Sequence, residues 1–371
     1  MTRTRAITAA LCIAGALLGG CAPRGVLVLE PVPPGTGTTQ TIIVGSTRAP
    51  AAGAELFSAT RSERLGFARF EVSVPPERAP GTVTFPRRQP PDPRTDFIAV
   101  SAERIADRAG LIAAVNAELR AKPPRDREVV VFVHGFNTNF PESLFRHAQM
   151  RHDFDTPGLS VLYAWPSAAN LRAYGLDRET ALFARDGLEE LLTTLAGADP
   201  ARIIVVGHSM GALIVMDTLR QMAMRDSPVL DRIAAIVLFA PDLDIGLFRT
   251  QMRPLVAADI PTYVFTSSRD RALRFSAFLR GQDARLGSIR DSSGLSDLPI
   301  VLIDITGVEA TADRLGHFKV ATSPSMIALI RGMDEVGIQM FRDQEHRPNI
   351  FETTITAVQE MTEIVLQPIA P

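Results

Sequence analysis

Cysteine is nearly missing from this chain. Two occur among 371 residues, Cys12 and Cys21, and Cys12 falls inside an apolar amino-terminal run. That leaves no disulfide framework, so the body of the protein depends on its core. A hydrophobic share of 46% over this length is enough to bury a large one. Lysine is as scarce, with only Lys122 and Lys319, and arginine carries the positive charge. The formal net charge of −2 gives no basic footprint for nucleic acid. Beyond residue 20 no apolar run is long enough to span a bilayer. His-Glu-x-x-His and paired Cys-x-x-Cys spacings are missing too, so no metal or cofactor is expected.

What is present begins with a signal. Arg3 and Arg5 precede the apolar run Ala6 to Leu18, which ends in Leu18-Gly19-Gly20-Cys21. Small residues before a cysteine at the end of such a run read as a bacterial lipoprotein signal, cut before Cys21, whose thiol and new amino group are then acylated. The alternative is an ordinary secretory signal with an incidental cysteine. Residues 1–20 are then a signal peptide, and 21–40 a lipidated cysteine with a flexible tether built from Pro31, Pro33, Pro34, Gly35 and Gly37. The expected location is the cell envelope, facing the periplasm. Ala22 favours the outer membrane.

Residues 41–333 read as one domain. Its accessory part, 41–127, has a strand at Thr41 to Val44, a half-exposed strand at Phe67 to Val74, and a helix from Ser101 to Leu119 capped by Ser101. In the core, 128–333, strands are expected at Glu128 to Val133, Leu159 to Trp165, Arg202 to Val206, Ile233 to Phe239, Thr262 to Thr266 and Ile300 to Ile305. Between them helices are expected at Glu142 to Asp153, Arg178 to Leu195 and Ala212 to Met224, with a last one at Ser323 to Met333. Strands alternating with helices predict an α/β protein: a mostly parallel, doubly wound sheet with helices on both faces. The site then belongs at the carboxyl ends of the strands. Residues 334–371 stay unassigned, with a helix or strand within Ile350 to Val365.

The chemistry centres on Gly207-His208-Ser209-Met210-Gly211, a G-x-S-x-G between a β-branched run and a helix-forming one. Such a turn lifts a serine hydroxyl to a helix N-terminus, where free amides favour developing negative charge. Enzymes built on this elbow follow the order Ser, acid, His along the chain. Of six histidines only His317 and His346 come after Ser209. His317 follows the last core strand, and His346 sits in a polar tail. For the acid, Asp270 leads, and Asp242 and Asp244 after the preceding strand are the alternatives. Asp270 also fits a plain helix N-cap. The oxyanion hole takes the Met210 amide and an amide from the loop His134-Gly135-Phe136-Asn137, with Phe136 as donor and His134, Gly135 and Asn137 in support. Trp165, the lone tryptophan, fits either a pocket wall or the core.

With those residues the chain resembles a group of uncharacterised bacterial α/β-hydrolases, many of them exported. The likeness runs from about Thr41 to the helix after His317. It rests on His134-Gly135-Phe136-Asn137, Tyr163-Ala164-Trp165-Pro166-Ser167, the Ser209 pentapeptide, Ala240-Pro241-Asp242-Leu243-Asp244, Ser268-Arg269-Asp270-Arg271-Ala272-Leu273 and Gly316-His317. Gly45-Ser46-Thr47-Arg48 is similar to a strand-end T-x-R feature of the group and is expected to be accessory. The resemblance implies a serine hydrolase of the esterase/lipase type with Ser209, Asp270 and His317, acting on a small acyl ester. Tyr174 and Asp177 are reminiscent of the group without a catalytic part. Amide, peptide or thioester hydrolysis is the alternative, as is an envelope lipoprotein that keeps the fold as a binding module.

Overall fold

The computed structural model describes residues 24–281, 284–310, 313–336 and 351–368. The expected signal peptide, Cys21 and His346 lie outside the described residues. The strands are β1 (Thr38–Pro50), β2 (Phe57–Val74), β3 (Ile98–Ile105), β4 (Glu128–Val133), β5 (Leu159–Ala164), β6 (Arg202–His208), β7 (Ile233–Phe239), β8 (Thr262–Thr266), β9 (Ile300–Asp304), β10 (Phe351–Val358) and β11 (Met361–Pro368). The helices are α1 (Arg108–Arg120), α2 (Phe140–Phe154), α3 (Tyr174–Ala196), α4 (Met210–Ala223), α5 (Ile245–Met252), α6 (Arg271–Leu279), α7 (Lys319–Thr322) and α8 (Pro324–Val336).

All 11 strands join one sheet in the order β10-β11-β9-β8-β7-β6-β4-β5-β1-β2-β3. Pairing is parallel from β11 to β1, and antiparallel only at the edges, in β10–β11 and β1–β2–β3. β4 and β6 are continuous apolar runs because strands covered on both faces have no side to leave polar. Their residues alternate between two cores. Val129, Val131 and Val133 pack with Leu188 and Leu191 of α3 and Ile214 of α4. Phe132 packs with Phe140 and Leu144 of α2 and Met326 of α8. This is the doubly wound architecture expected from the alternation. β5 pairs on one side of β4 and β6 on the other, so the winding reverses there. A crevice opens at the carboxyl ends of such a reversal. No described helix is long and apolar enough to cross a membrane.

Three boundaries need correction. The segment from Ser101 to Ile105 is strand, paired with β2. Asp107, not Ser101, caps α1, its side chain accepting from Gly110 N at 2.8 Å. Ile105 sits seven residues before Ile112, a helical spacing that disguises the change of element. Nor is all of 21–40 a free tether. Leu27 is buried, Ala99 N donates to Val28 O at 3.0 Å, and Glu30 N donates to Ala99 O at 3.1 Å. Here the apolar residues between Gly25 and Glu30 find the sheet edge, which outweighs their proline-rich surroundings. Lastly, the unassigned tail contains the β10–β11 hairpin, and β11 extends the sheet beside β9. The domain therefore runs past residue 333.

Candidate active site

β6 ends at His208 and α4 begins at Met210, so Ser209 alone makes the turn. Its φ of 54° and ψ of −120° fall where side-chain-bearing residues rarely go, at about 1–3 kcal/mol. Neighbouring strands hold the strain. Ser209 N donates to Phe239 O at 3.0 Å, and Asp242 N donates to Ser209 O at 3.1 Å. Gly211 is required by close approach, since a Cβ there would sit 2.3 Å from Val133 O.

His317 lies in the loop after β9, and its Nδ1 is 2.7 Å from Asp270 Oδ2. Asp270 is fully buried and serves twice. Its other oxygen caps α6, accepting from Leu273 N at 2.9 Å. One carboxylate thus caps the helix and faces the imidazole, and the cap fixes its orientation. Burial presses the His317 pKa down, but the charge and hydrogen bond of Asp270, with smaller help from Asp242 and Asp313, raise it overall. The ring stays 18% exposed. Its backbone carbonyl accepts from His208 Nε2 at 3.2 Å, and the two rings lie 4.8 Å apart. Burial holds His208 well below the usual imidazole range, so it is a neutral donor bracing the His317 loop. Among the described residues no hydrogen bond joins Ser209 Oγ to His317. Such contacts are often long without substrate.

The β4–α2 loop approaches Ser209 from the other side. A Cβ on Gly135 would lie 2.9 Å from Ser209 Cβ. Among the described residues neither the Phe136 nor the Met210 amide has an acceptor, so both remain available. His134 sits beneath. Its Nε2 faces Trp165 O at 3.0 Å, while Trp165 Nε1 donates to His134 O at 2.7 Å, and the rings stack. Burial, then Arg48, lowers the His134 pKa to about 3, so the ring is neutral. Trp165 is fully buried and therefore core, not pocket wall. Asn137 takes a left-handed φ of 57° and is clasped from outside, its carbonyl accepting from Arg24 Nη2 at 3.0 Å.

A family model described as an alpha/beta hydrolase of unknown function (DUF900) matches residues 111–332, more than half of the chain. The chain belongs to that family. Among solved structures it is similar to a Trichoderma reesei cutinase in complex with a phosphonate inhibitor, at 13% identity and a TM-score of 0.23, covering 37% of this chain and 69% of that one. It is also similar to a lipase-esterase related protein from Clostridium acetobutylicum, at 14% identity and a TM-score of 0.24, covering 49% and 75%. No curated protein sequence matches it.

The other acids of this hydrolase are engaged elsewhere. Asp242 Oδ1 accepts from Arg285 Nε and Ser276 Oγ, both at 2.7 Å, and its Oδ2 from Tyr174 OH at 2.8 Å. Asp244 caps α5, accepting from Leu247 N at 2.8 Å. Buried cations escaped the sequence reading, Arg285 and Arg48 among them. Arg285 is fully buried against Asp242, although its segment is rich in glycine, serine and aspartate. Arg48, 2% exposed, reaches Thr138 O at 3.2 Å, Ser58 O at 3.3 Å and Ser167 O at 3.5 Å. Burial lowers its pKa to about 10, against the pull of Asp177. Asp177 accepts from Ser167 Oγ at 2.6 Å, so Arg48 and Asp177 grip the loops behind Gly135 from two sides. Only the likeness of Gly45-Ser46-Thr47-Arg48 to a strand-end feature of the group hinted at Arg48. A cavity of about 370 Å³ lies toward the amino ends of the strands, between α2 and α8, and none of the candidate residues lines it.

Proposed function

We propose that this hydrolase is a serine esterase. The carrying observation is the buried Asp270–His317 pair, 2.7 Å apart, in contact with His208, the residue before a serine on a strained elbow. Ser209 Oγ attacks the acyl carbonyl carbon while His317 Nε2 takes the hydroxyl proton. Asp270 holds the ring through Nδ1 and stabilises the imidazolium. The Met210 and Phe136 amides receive the oxyanion. Collapse expels the alcohol, which takes the proton from His317 and leaves an acyl-enzyme. Water then repeats the sequence, releasing the acid and restoring Ser209. Small acyl esters are the proposed substrates. Amides and thioesters share the same steps and separate only in a substrate series.

Ser209→Ala is expected to abolish hydrolysis of short p-nitrophenyl esters and labelling by fluorophosphonate probes. Labelling equal to wild type would remove Ser209 from the reading. Asp270→Asn and Asp242→Asn, measured separately, test the acid, and a larger kcat loss at Asp242 would reverse the assignment. We also propose that Cys21 is lipidated and holds the domain at the periplasmic side of the envelope, at the outer membrane by the residue after it. Palmitate incorporation should vanish in Cys21→Ser.

A further inference from the structure

The outer side of α6 is apolar and ringed by arginine. Phe275 is 54% exposed, Phe278 78% and Leu279 49%, while Leu273, Ser276 and Ala277 face inward. Positions 275, 278 and 279 share one side of a helix. Leu315, 53% exposed, continues the patch, because Arg271 N donates to its carbonyl at 2.9 Å. Arg269, Arg271, Arg274, Arg280 and Arg314 are exposed around these side chains. Among the described residues none of the five makes an ion pair through its side chain. The single acid along 269–281 is Asp270, which is buried. Clustered exposed apolar side chains mark a contact surface. A margin of five arginines, whose neighbouring Asp313 is held by the backbone amides of Leu315, Gly316 and Phe318, selects an anionic partner, and phenylalanine and leucine between arginines is the pattern of a helix lying in a lipid interface.

We propose that this face docks on an anionic phospholipid bilayer, with α6 in the interface plane and Phe275, Phe278 and Leu279 among the acyl chains. The surface adjoins the candidate site directly: Asp270 caps α6, and Leu315 is two residues before His317. On the opposite lip, Arg24 is bound to Asn137. Arg24 is three residues from Cys21, a reach of roughly 11 Å. An acyl anchor on Cys21 would hold this same end of the molecule to the membrane. That last point rests on the lipidation reading, whereas the α6 surface does not.

The full chain with Phe278→Trp tests it. Trp165 is the one native tryptophan and is fully buried, so a new fluorophore at 278 reports on α6 alone, and the anchor region is silent. With phosphatidylglycerol vesicles its emission should shift to the blue and be quenched by brominated acyl chains, while wild-type emission stays put. Phosphatidylcholine vesicles should give a much weaker response. Replacing Arg271, Arg274 and Arg280 by Gln should weaken the response about fivefold per charge. Unmoved emission from a chain that floats with the vesicles overturns the proposal. So does a blue shift in lipid-free buffer that grows with protein concentration, which assigns the face to a second copy. Neither readout involves Ser209, so the result is independent of the esterase reading.

Discussion

His317 is held between opposed pressures, and its titration should show which prevails. Burial favours the neutral ring, while Asp270, Asp242 and Asp313 favour the cation and win, raising the pKa. A general base works only when neutral, so activity should fall as pH drops through that raised value. The acidic limb of kcat/KM is expected above the ordinary imidazole pKa of about 6.5. Asp270→Asn leaves burial the stronger influence, so the limb should move downward as kcat drops by about 10⁴-fold. A limb that stays in place would show that it belongs to another group. Arg48 yields a second test at this scale. Arg48→Met strips donors from the carbonyls of Ser58, Thr138 and Ser167. Leaving a buried acceptor unpaired costs about 1–3 kcal/mol. Thermal unfolding should register that loss. If the residue positions the Phe136 amide, kcat should also fall by about 10²-fold with KM little changed, and Arg48→Lys should recover part of it.

The helix α2 carries the β4–α2 loop, and its cap joins fold to site. Asn139 Oδ1 accepts from Glu142 N at 2.9 Å, and Glu142 Oε2 accepts from Asn139 N at 3.0 Å. Asn139 Nδ2 also donates to Gly25 O at 2.9 Å. Asn139→Ala should cost about 1 kcal/mol in denaturant unfolding. Elements with their own local logic were legible in the sequence. The continuous runs of β4 and β6, the glycine turns at 135 and 207–211, and the order of strand ends pointed to Ser209, to the His134–Asn137 loop and to His317, whose ring faces Asp270. What failed was non-local. Arg285 pairs with Asp242 from 43 positions away, and no spacing announces that. The β10–β11 hairpin turns at Gln359, with a φ of 53°, and lacks the glycine or asparagine that usually signals a tight turn. Leu27 and Val28 looked like linker because burial of a short apolar stretch depends on a sheet edge that only the folded chain supplies.

At the scale of the whole molecule, the last strand closes the sheet next to the strand that leads to His317. β11 pairs with β9 from Thr362↔Val301 to Val365↔Asp304, and Met361, Ile364 and Leu366 are buried. Ending the chain at residue 350 removes those side chains, each worth about 1.5–3 kcal/mol of burial, and bares the β9 edge. Loss of cooperative thermal unfolding and appearance of aggregates in size-exclusion chromatography are expected. An intact melting transition would show that the hairpin is dispensable. The clasp between Arg24 and the Asn137 loop has a consequence of its own. A leash that leaves a protein beside its catalytic mouth removes most of its rotational freedom against the surface it is fixed to. With Cys21 lipidated as proposed, encounter with substrate would become a two-dimensional search. Turnover of a membrane ester would follow its mole fraction in the adjoining leaflet, and diluting the suspension would leave the rate per enzyme unchanged.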